Sequence, residues 1–277
     1  MNLSTYANVL NRNEQDLTLV GEGNNGLVLV DNSGIAYKFP KHKSLIQRLK
    51  REIENTNYIS GFLSVDVPKY ITVDLGRPIG EAYCSYTLIP GTPLSKEIYA
   101  LHRHKLSRQL LSLIDEIHGI PQIKTMEGNG VDFENMYYEI KDLVFPLVKD
   151  SVKQEIELRF TEYLKCDNQQ NTCVVHGDFG SSNIICNPIT GTITGIIDWA
   201  EASVDDPVTD YSSLSCAVSI PMIKEDFLLL RPSLSTIFRR AKFIQYTFPL
   251  QEALHGIKAD DEIALREGLT AIGAYGQ

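Results

Sequence analysis

The stretch His176-Gly-Asp-Phe-Gly-Ser-Ser-Asn183, HGDFGSSN, lies between two short apolar runs, CVV before it and IIC after it. It brings an imidazole, a carboxylate and a carboxamide into one loop. Glycine, aspartate, serine and asparagine all favour turns, so one interpretation is a plain connection between two strands. The other interpretation is an active-site loop that carries a base and a metal ligand. The sequence around the loop decides between them.

The composition is that of an ordinary globular chain. Its 277 residues can bury a substantial core and can form two lobes, and 43% of them are hydrophobic and 22% charged. The net charge of −9 argues against nucleic acid or an anionic membrane as the main partner, and it is compatible with a cationic ligand.

The amino terminus and the cysteines indicate a cytoplasmic protein. The first residues lack a basic region followed by an apolar stretch, and no stretch approaches the length of a membrane span. Five cysteines are scattered without metal-ligand spacing, and several lie in apolar runs, so we expect free thiols: Cys84, Cys166, Cys173, Cys186 and Cys216.

The first third of the chain predicts a β-rich lobe. Apolar, β-prone runs at residues 17–20, 27–30 and 35–39 are joined by turn sequences, of which DNSG is a hairpin signal. KSLIQRLKREIENTNYI then repeats apolar residues every four positions and predicts an amphipathic helix. VPKYITVD and EAYCSYTLI return to strand character. The lobe spans residues 1–89 and leads into a connector, IPGTPL.

The rest of the chain, residues 90–277, predicts a mainly helical second lobe. Helical patterns cover residues 96–165 and the region from residue 222 onward, and TCVV, NIIC and TITGIIDW predict a small β-hairpin between them. In DDPVTDYSSLSCAV a helix restarts, with Asp205 or Asp206 as its N-cap and Pro207 in its first turn. The predicted fold class is α+β, with two lobes.

The predicted β-rich lobe contains a glycine motif. Gly21, Gly23 and Gly26 have the spacing G-x-G-x-x-G, which by itself is a weak signal. A dinucleotide-binding fold needs a helix after these glycines, whereas here a strand follows, which is typical of a kinase-type loop that covers nucleotide phosphates. Such a loop needs a lysine on the third strand, and Lys38 is suitably placed.

A buried lysine that reaches phosphates needs a carboxylate to hold it. The predicted helix offers Glu52 and Glu54. At 100° per residue its apolar face centres nearer Glu52 than Glu54, so we assign Glu52 as the partner of Lys38.

The loop HGDFGSSN then fits the remaining needs of phosphate transfer to an alcohol. Asp178 would orient the acceptor hydroxyl and take its proton. Asn183 would hold magnesium, and Asp198, at the end of the following strand, would be the second ligand, since magnesium prefers oxygen atoms and keeps several waters. We interpret His176 as structural, with its ring bonded to the backbone or near Asp198.

With these residues in view, HGD…N followed by IDW resembles the signature of the aminoglycoside phosphotransferase family, which is kin to protein kinases and choline kinases. The sequence IIDWAEASVDDPVTD is also similar to macrolide phosphotransferases, which are near relatives. The resemblance covers essentially the whole chain. It implies a bilobal protein-kinase-like fold, with ATP or GTP as co-substrate and Mg²⁺ as cofactor. It also implies that Thr87 to Ile89 form the hinge that reads the purine, with Tyr86 guarding the pocket.

The acceptor implied by this resemblance is a small molecule, most of all a cationic aminoglycoside antibiotic. From Ile196 onward twelve acidic residues stand against seven basic ones, although many of them fit helix caps and solvated faces. A macrolide, choline or a sugar is the same-class alternative, and a nucleotide-binding pseudokinase that regulates a partner is the alternative of another class. We expect a monomer, with no nucleic-acid or membrane partner.

Overall fold

The structure is a computed structural model that describes residues 3–23, 26–123, 126, 131–165 and 172–274. The helices are α1 (Leu3–Leu10), α2 (Lys43–Ile59), α3 (Lys96–Leu101), α4 (Arg103–His118), α5 (Phe133–Glu139), α6 (Asp150–Lys165), α7 (Val208–Ser215), α8 (Ile223–Leu230), α9 (Ser235–Ala259) and α10 (Glu262–Ala274). The strands are β1 (Leu17–Gly23), β2 (Gly26–Asp31), β3 (Ile35–Pro40), β4 (Tyr70–Asp74), β5 (Tyr83–Thr87), β6 (Thr92–Pro93), β7 (Cys173–Val175), β8 (Ile184–Asn187), β9 (Thr192–Ile196) and β10 (Ser203–Asp205).

The first five strands form an antiparallel sheet in the order β1-β2-β3-β5-β4. The turn between β2 and β3 is built on Asp31, whose Oδ1 accepts hydrogen bonds from the backbone of Ser33 and Ile35, while Oδ2 accepts one from the Tyr37 hydroxyl. Burial would raise the pKa of Asp31, but these bonds outweigh it and lower the pKa to about 2. Gly34 completes the turn with φ of +81°.

Two helices accompany this sheet. Helix α2 has the bounds that the apolar repeat predicts, and it buries Leu49, Ile53 and Ile59. Helix α1 was not predicted. Its Tyr6 ring packs against Phe39 of β3 with 4.6 Å between ring centroids, so α1 is held by contact with the sheet.

The predicted hairpin is present as β8 and β9, and β6 from the connector adds a third strand. Residues 173–175, predicted beside this hairpin, instead pair with β10, which the sequence analysis did not identify. β7 and β10 have three residues each, and the intervening loop and hairpin separate them along the chain. No local pattern therefore predicts their pairing.

The start of α7 decides between the two proposed N-caps. Helix α7 begins at Val208, directly after Pro207, and of the two proposed residues it is Asp206 whose Oδ1 accepts a hydrogen bond from the Val208 backbone N–H, at 3.0 Å. Asp205 instead ends β10. Burial and the charge of Asp210 raise the pKa of Asp205 to about 6.

Contacts divide the chain into two compact units. The first comprises Met1–Pro121 and His176–Ala202, and the second comprises Gln122–Val175 and Ser203–Gln277. The lobe boundary after residue 89 differs from this division and stays a prediction. Among the described residues, no helix is long and apolar enough to cross a membrane. The cysteines that the structure describes are free thiols, and Cys166 lies outside the described residues.

Candidate functional site

Lys38 and Glu52 form a buried ion pair in the first unit. Lys38 Nζ donates to Glu52 Oε2 at 2.6 Å, and the Tyr70 hydroxyl donates to Glu52 Oε1 at 2.9 Å. The carboxylate of Glu52, which is 3% exposed, therefore has a donor on each oxygen, while Glu54 is exposed. Burial alone would lower the pKa of Lys38, but the charges of Glu52 and Asp198 outweigh it and raise that pKa. Burial and the charge of Glu52 raise the pKa of Tyr70.

The loop from His176 to Asn183 is fixed from inside by His176. Its ring is fully buried, and Nε2 lies 3.0 Å from the Ile197 carbonyl oxygen, while Nδ1 accepts a hydrogen bond from the Asp178 N–H at 3.2 Å. Together these bonds describe a neutral ring with its proton on Nε2. The ring also packs on Trp199 with 4.4 Å between centroids. The expectation that His176 bonds the backbone beside Asp198 is confirmed.

Asp178 and Asn183 are joined within the loop. Asn183 Nδ2 donates to the Asp178 backbone oxygen at 2.8 Å and to its carboxylate Oδ2 at 3.0 Å. These bonds occupy the amide nitrogen, so the amide oxygen is the atom that can face a cation. Asn183 is 7% exposed, whereas Asp178 is an exposed residue.

Asp198 follows the hairpin in a left-handed backbone conformation, with φ of +63°. Its Oδ1 lies 3.9 Å from Lys38 Nζ and 3.7 Å from Arg48 Nη2. This oxygen is buried and has no hydrogen-bond partner among the described residues. Arg48 is held by its own bond, from Nε to Glu201 Oε1 at 2.8 Å.

The Lys38–Glu52 pair, Asn183 and Asp198 line one cleft of about 440 Å³, whose lining residues all belong to the first unit, and Asp178 is not among them. The lining residues are Gly21, Glu22, Gly26, Val28, Lys38, Glu52, Pro68, Tyr86, Ser182, Asn183, Ile197 and Asp198. This volume is in the usual range of small-molecule sites.

Two of the three predicted glycines line the cleft. Gly21 and Gly26 line the cleft, and Gly23 pairs with Gly26 across the hairpin; Asn24 and Asn25 lie outside the described residues. A Cβ on Gly26 would lie 2.6 Å from the Phe39 backbone oxygen, so strand packing itself requires this glycine.

Tyr86 also lines the cleft, and burial raises the pKa of its hydroxyl to about 12. Thr87 is exposed at the end of β5, and the Ile89 side chain is buried close to Gly195. The hinge role of Thr87 and Ile89 stays a prediction.

Sequence reasoning missed three residues that hold this site together. Tyr70 supports Glu52, Arg48 lies beside Asp198, and Asn55 Nδ2 donates to the backbone oxygens of Trp199 at 2.9 Å and Ala202 at 3.2 Å. Arg48 had a signal, because it lies four residues before Glu52 and therefore on the same helix face. The contacts of Tyr70 and Asn55 depend on distant segments of chain and have no local signal.

The sequence matches known phosphotransferases. Residues 18–231 match the sequence profile of the phosphotransferase enzyme family. Over 220 residues the chain is 23% identical to viomycin phosphotransferase from Streptomyces vinaceus, and the match covers 72% of this chain and 76% of that protein.

Solved structures show the same fold. Wild-type aminoglycoside 2'-phosphotransferase-IIIa, in complex with GDP, superimposes with a TM-score of 0.84 at 23% identity, covering 94% of this chain and 92% of that one. Macrolide 2'-phosphotransferase from Brachybacterium faecium, as the apoenzyme, superimposes with a TM-score of 0.72 at 16% identity, covering 94% and 93%. The predicted α+β, protein-kinase-like fold, β-rich at the start and mainly helical afterwards, is confirmed. Because the family profile covers most of the chain, this protein belongs to the phosphotransferase enzyme family.

Proposed function

We propose that this phosphotransferase moves the γ-phosphate of ATP or GTP to a hydroxyl of a small cationic antibiotic, an aminoglycoside. The proposal rests on one observation. The Lys38–Glu52 pair, Asn183 and Asp198 line a single cleft together with Gly21 and Gly26 of the β1–β2 hairpin. Membership of the family already makes the chain an enzyme that transfers phosphate to small-molecule hydroxyls. The donor, the acceptor and the residue roles below are the proposal.

Lys38 would hold the triphosphate. Its ammonium is positioned by Glu52 and stays charged because two carboxylates raise its pKa. Gly21 and Gly26 border the same cleft, where a backbone without side chains lets phosphates approach closely. Tyr86, Thr87 and Ile89 would receive the purine ring, with Tyr86 at the wall of the cleft.

Asn183 and Asp198 would hold a magnesium ion. Their free atoms are oxygens, which are the ligands that magnesium prefers. The buried Asp198 Oδ1 has no donor among the described residues, and an unsatisfied buried oxygen is costly, so a cation there would compensate it. When bound, the ion supplies positive charge against the transferring phosphoryl group.

Asp178 would orient the acceptor hydroxyl and accept its proton as the hydroxyl oxygen bonds to the γ-phosphorus. The bond from that phosphorus to the β–γ bridging oxygen breaks, and the nucleoside diphosphate leaves with the electron pair. Asn183 donates to the Asp178 carboxylate at 3.0 Å, and this bond would fix the orientation of the carboxylate that accepts the proton. His176 keeps the backbone of the loop in place.

Three observations support the donor and acceptor classes. A similar fold has been solved with GDP, and it is an aminoglycoside phosphotransferase. The sequence relative acts, by its name, on viomycin. The chain is acidic, with a net charge of −9, which favours a polycationic acceptor. A macrolide acceptor is the second candidate, because a macrolide phosphotransferase shares the fold. Action as a monomer in the cytoplasm stays a prediction.

The test measures transfer of labelled γ-phosphate from ATP and from GTP to aminoglycosides, macrolides, choline and sugars. We expect labelled aminoglycoside. Asp178→Asn should lower kcat by about 100-fold or more, the usual scale of general-base catalysis, with nucleotide affinity retained. Asp74→Asn is the matched control, because Asp74 only pairs with Arg77 at the surface.

Two results would contradict the proposal. Full turnover by Asp178→Asn would remove its assigned role. Nucleotide binding without a phosphorylated product from any acceptor would replace the proposal with the regulatory pseudokinase.

A further inference from the structure

The second unit contains a cavity of its own between helices α6 and α9, with a volume of about 270 Å³. Its wall carries four cationic side chains, those of Arg159, Arg239, Arg240 and Lys242, and two aromatic rings, those of Tyr163 and Phe243. The lining positions recur three and four residues apart on each helix, so they form one face of α6 and one face of α9. None of these residues belongs to the nucleotide cleft.

The two rings form a rigid aromatic stack in the wall of the cavity. Tyr163 and Phe243 are stacked with 3.9 Å between centroids and 12° between planes. Phe160 supports Phe243 from below in an edge contact at 5.1 Å, and Phe133 contacts both rings at 5.2 Å and 5.4 Å. A flat apolar ring placed on such a surface gains stacking energy beyond its buried area.

The cations divide into paired and unpaired groups. Arg159 donates to Glu155 at 2.6 Å and lies over the Tyr246 ring, and Arg240 is paired with Asp206. The side chains of Arg239 and Lys242, by contrast, have no ion pair or hydrogen bond with the residues that the structure describes.

The wall of this cavity is opposite in charge to the chain. Within the described part, it carries four cations and the carboxylate of Glu162, and Glu155 and Asp206 pair with two of the cations, so the wall and these partners together keep a net charge of +1. The chain as a whole has a net charge of −9. A concave positive site on an acidic protein attracts anions and repels a polycationic acceptor. The cavity therefore suits a ligand of charge opposite to that of the proposed acceptor.

We propose that this cavity binds a small aromatic anion, a ring that bears a carboxylate or a phosphate. The ring packs against the stack of Tyr163 and Phe243, and the anionic group faces Arg239 and Lys242. The proposal is independent of the acceptor and of the roles assigned in the nucleotide cleft.

The experiment uses four probes with the same ring: 2-naphthoate, 2-naphthyl phosphate, neutral 2-naphthalenemethanol and cationic 2-naphthylmethylammonium. Binding to the full chain is measured by saturation-transfer NMR and isothermal titration calorimetry. We expect at least one anion to bind about tenfold tighter than the neutral and cationic probes. Which anion binds tells a carboxylate ligand from a phosphate ester.

Variants locate the binding. The double variant Arg239→Gln/Lys242→Gln should weaken the anion about tenfold. Lys224→Gln/Arg266→Gln removes the same charge from exposed positions on α8 and α10 and should leave binding unchanged. Equal binding of all four probes, or a loss of binding in Arg239→Gln/Lys242→Gln that is no larger than in Lys224→Gln/Arg266→Gln, would overturn the proposal.

Discussion

Tyr70→Phe removes one hydroxyl, the donor to Glu52 Oε1 at 2.9 Å, and leaves the ring in place. The acceptor is a carboxylate that is 3% exposed, so water does not replace the lost donor. A hydrogen bond to a charged group contributes about 1.5–3 kcal/mol, and we expect the free energy of unfolding to fall by that amount. With a urea m-value of about 2 kcal/mol/M, the unfolding midpoint falls by about 1 M.

The assay is urea unfolding followed by the fluorescence of Trp199. This is the chain's single tryptophan, it is fully buried, and it belongs to the same unit as Tyr70. Tyr58→Phe is the matched control. It removes the same group, but the Tyr58 hydroxyl donates to the Pro121 carbonyl oxygen at an exposed site, so we expect a loss of about 0.5 kcal/mol or less.

A second measurement separates positioning from general stability. Glu52 holds Lys38, so Tyr70→Phe should raise the KM for the nucleotide several-fold, and its effect should shrink in a Glu52→Gln background. Equal losses in Tyr70→Phe and Tyr58→Phe, or an unchanged effect in the Glu52→Gln background, would refute the role of Tyr70 as the residue that supports Glu52.

Four further predictions concern the backbone and pH. Gly177→Ala should destabilise the first unit by at least about 3 kcal/mol, because φ is +82° and the new Cβ would lie 2.3 Å from the Glu201 oxygen. Gly34→Ala, at φ of +81° in open space, should cost only about 1–2 kcal/mol in the same urea assay. The pKa of Asp31 is lowered to about 2 in the folded protein. Its contribution to the free energy of unfolding is therefore complete above the unfolded pKa of about 4, and it is lost as pH falls toward the folded pKa. The wild type should lose about 1 kcal/mol more than Asp31→Asn between about pH 6 and about pH 3. The pKa of Asp205 is raised to about 6, so its contribution to stability changes with pH in the opposite direction. The wild type should gain stability relative to Asp205→Asn as pH falls from about 7 to about 4.

The sequence predicted best where local periodicity decides structure. Helix α2 has the predicted bounds because Leu49 and Ile53 recur on the face that packs against the sheet. The same periodicity placed Glu52 on the side of Lys38, and the structure joins the two at 2.6 Å. Local pattern is sufficient in both cases because every deciding residue lies within one helix or one hairpin.

The parts that the sequence did not predict depend on partners far along the chain. Helix α1 is short and takes its place from the Tyr6–Phe39 contact, and β10 has only three residues and pairs with β7 across the intervening hairpin. The left-handed conformation of Asp198 and its proximity to Arg48 likewise follow from tertiary structure. Periodicity carries no information about such contacts.

Helix α2 carries both the carboxylate that holds Lys38 and the guanidinium beside Asp198, and Asn55 fastens the same helix to the turn after Asp198. Under the proposed function both groups lie beside the triphosphate and its magnesium ion, and Arg48 and Glu52 are about one turn apart on α2. A substitution that shifts α2 along its axis would move both groups at once, so we expect the affinities for the nucleotide and for magnesium to change together.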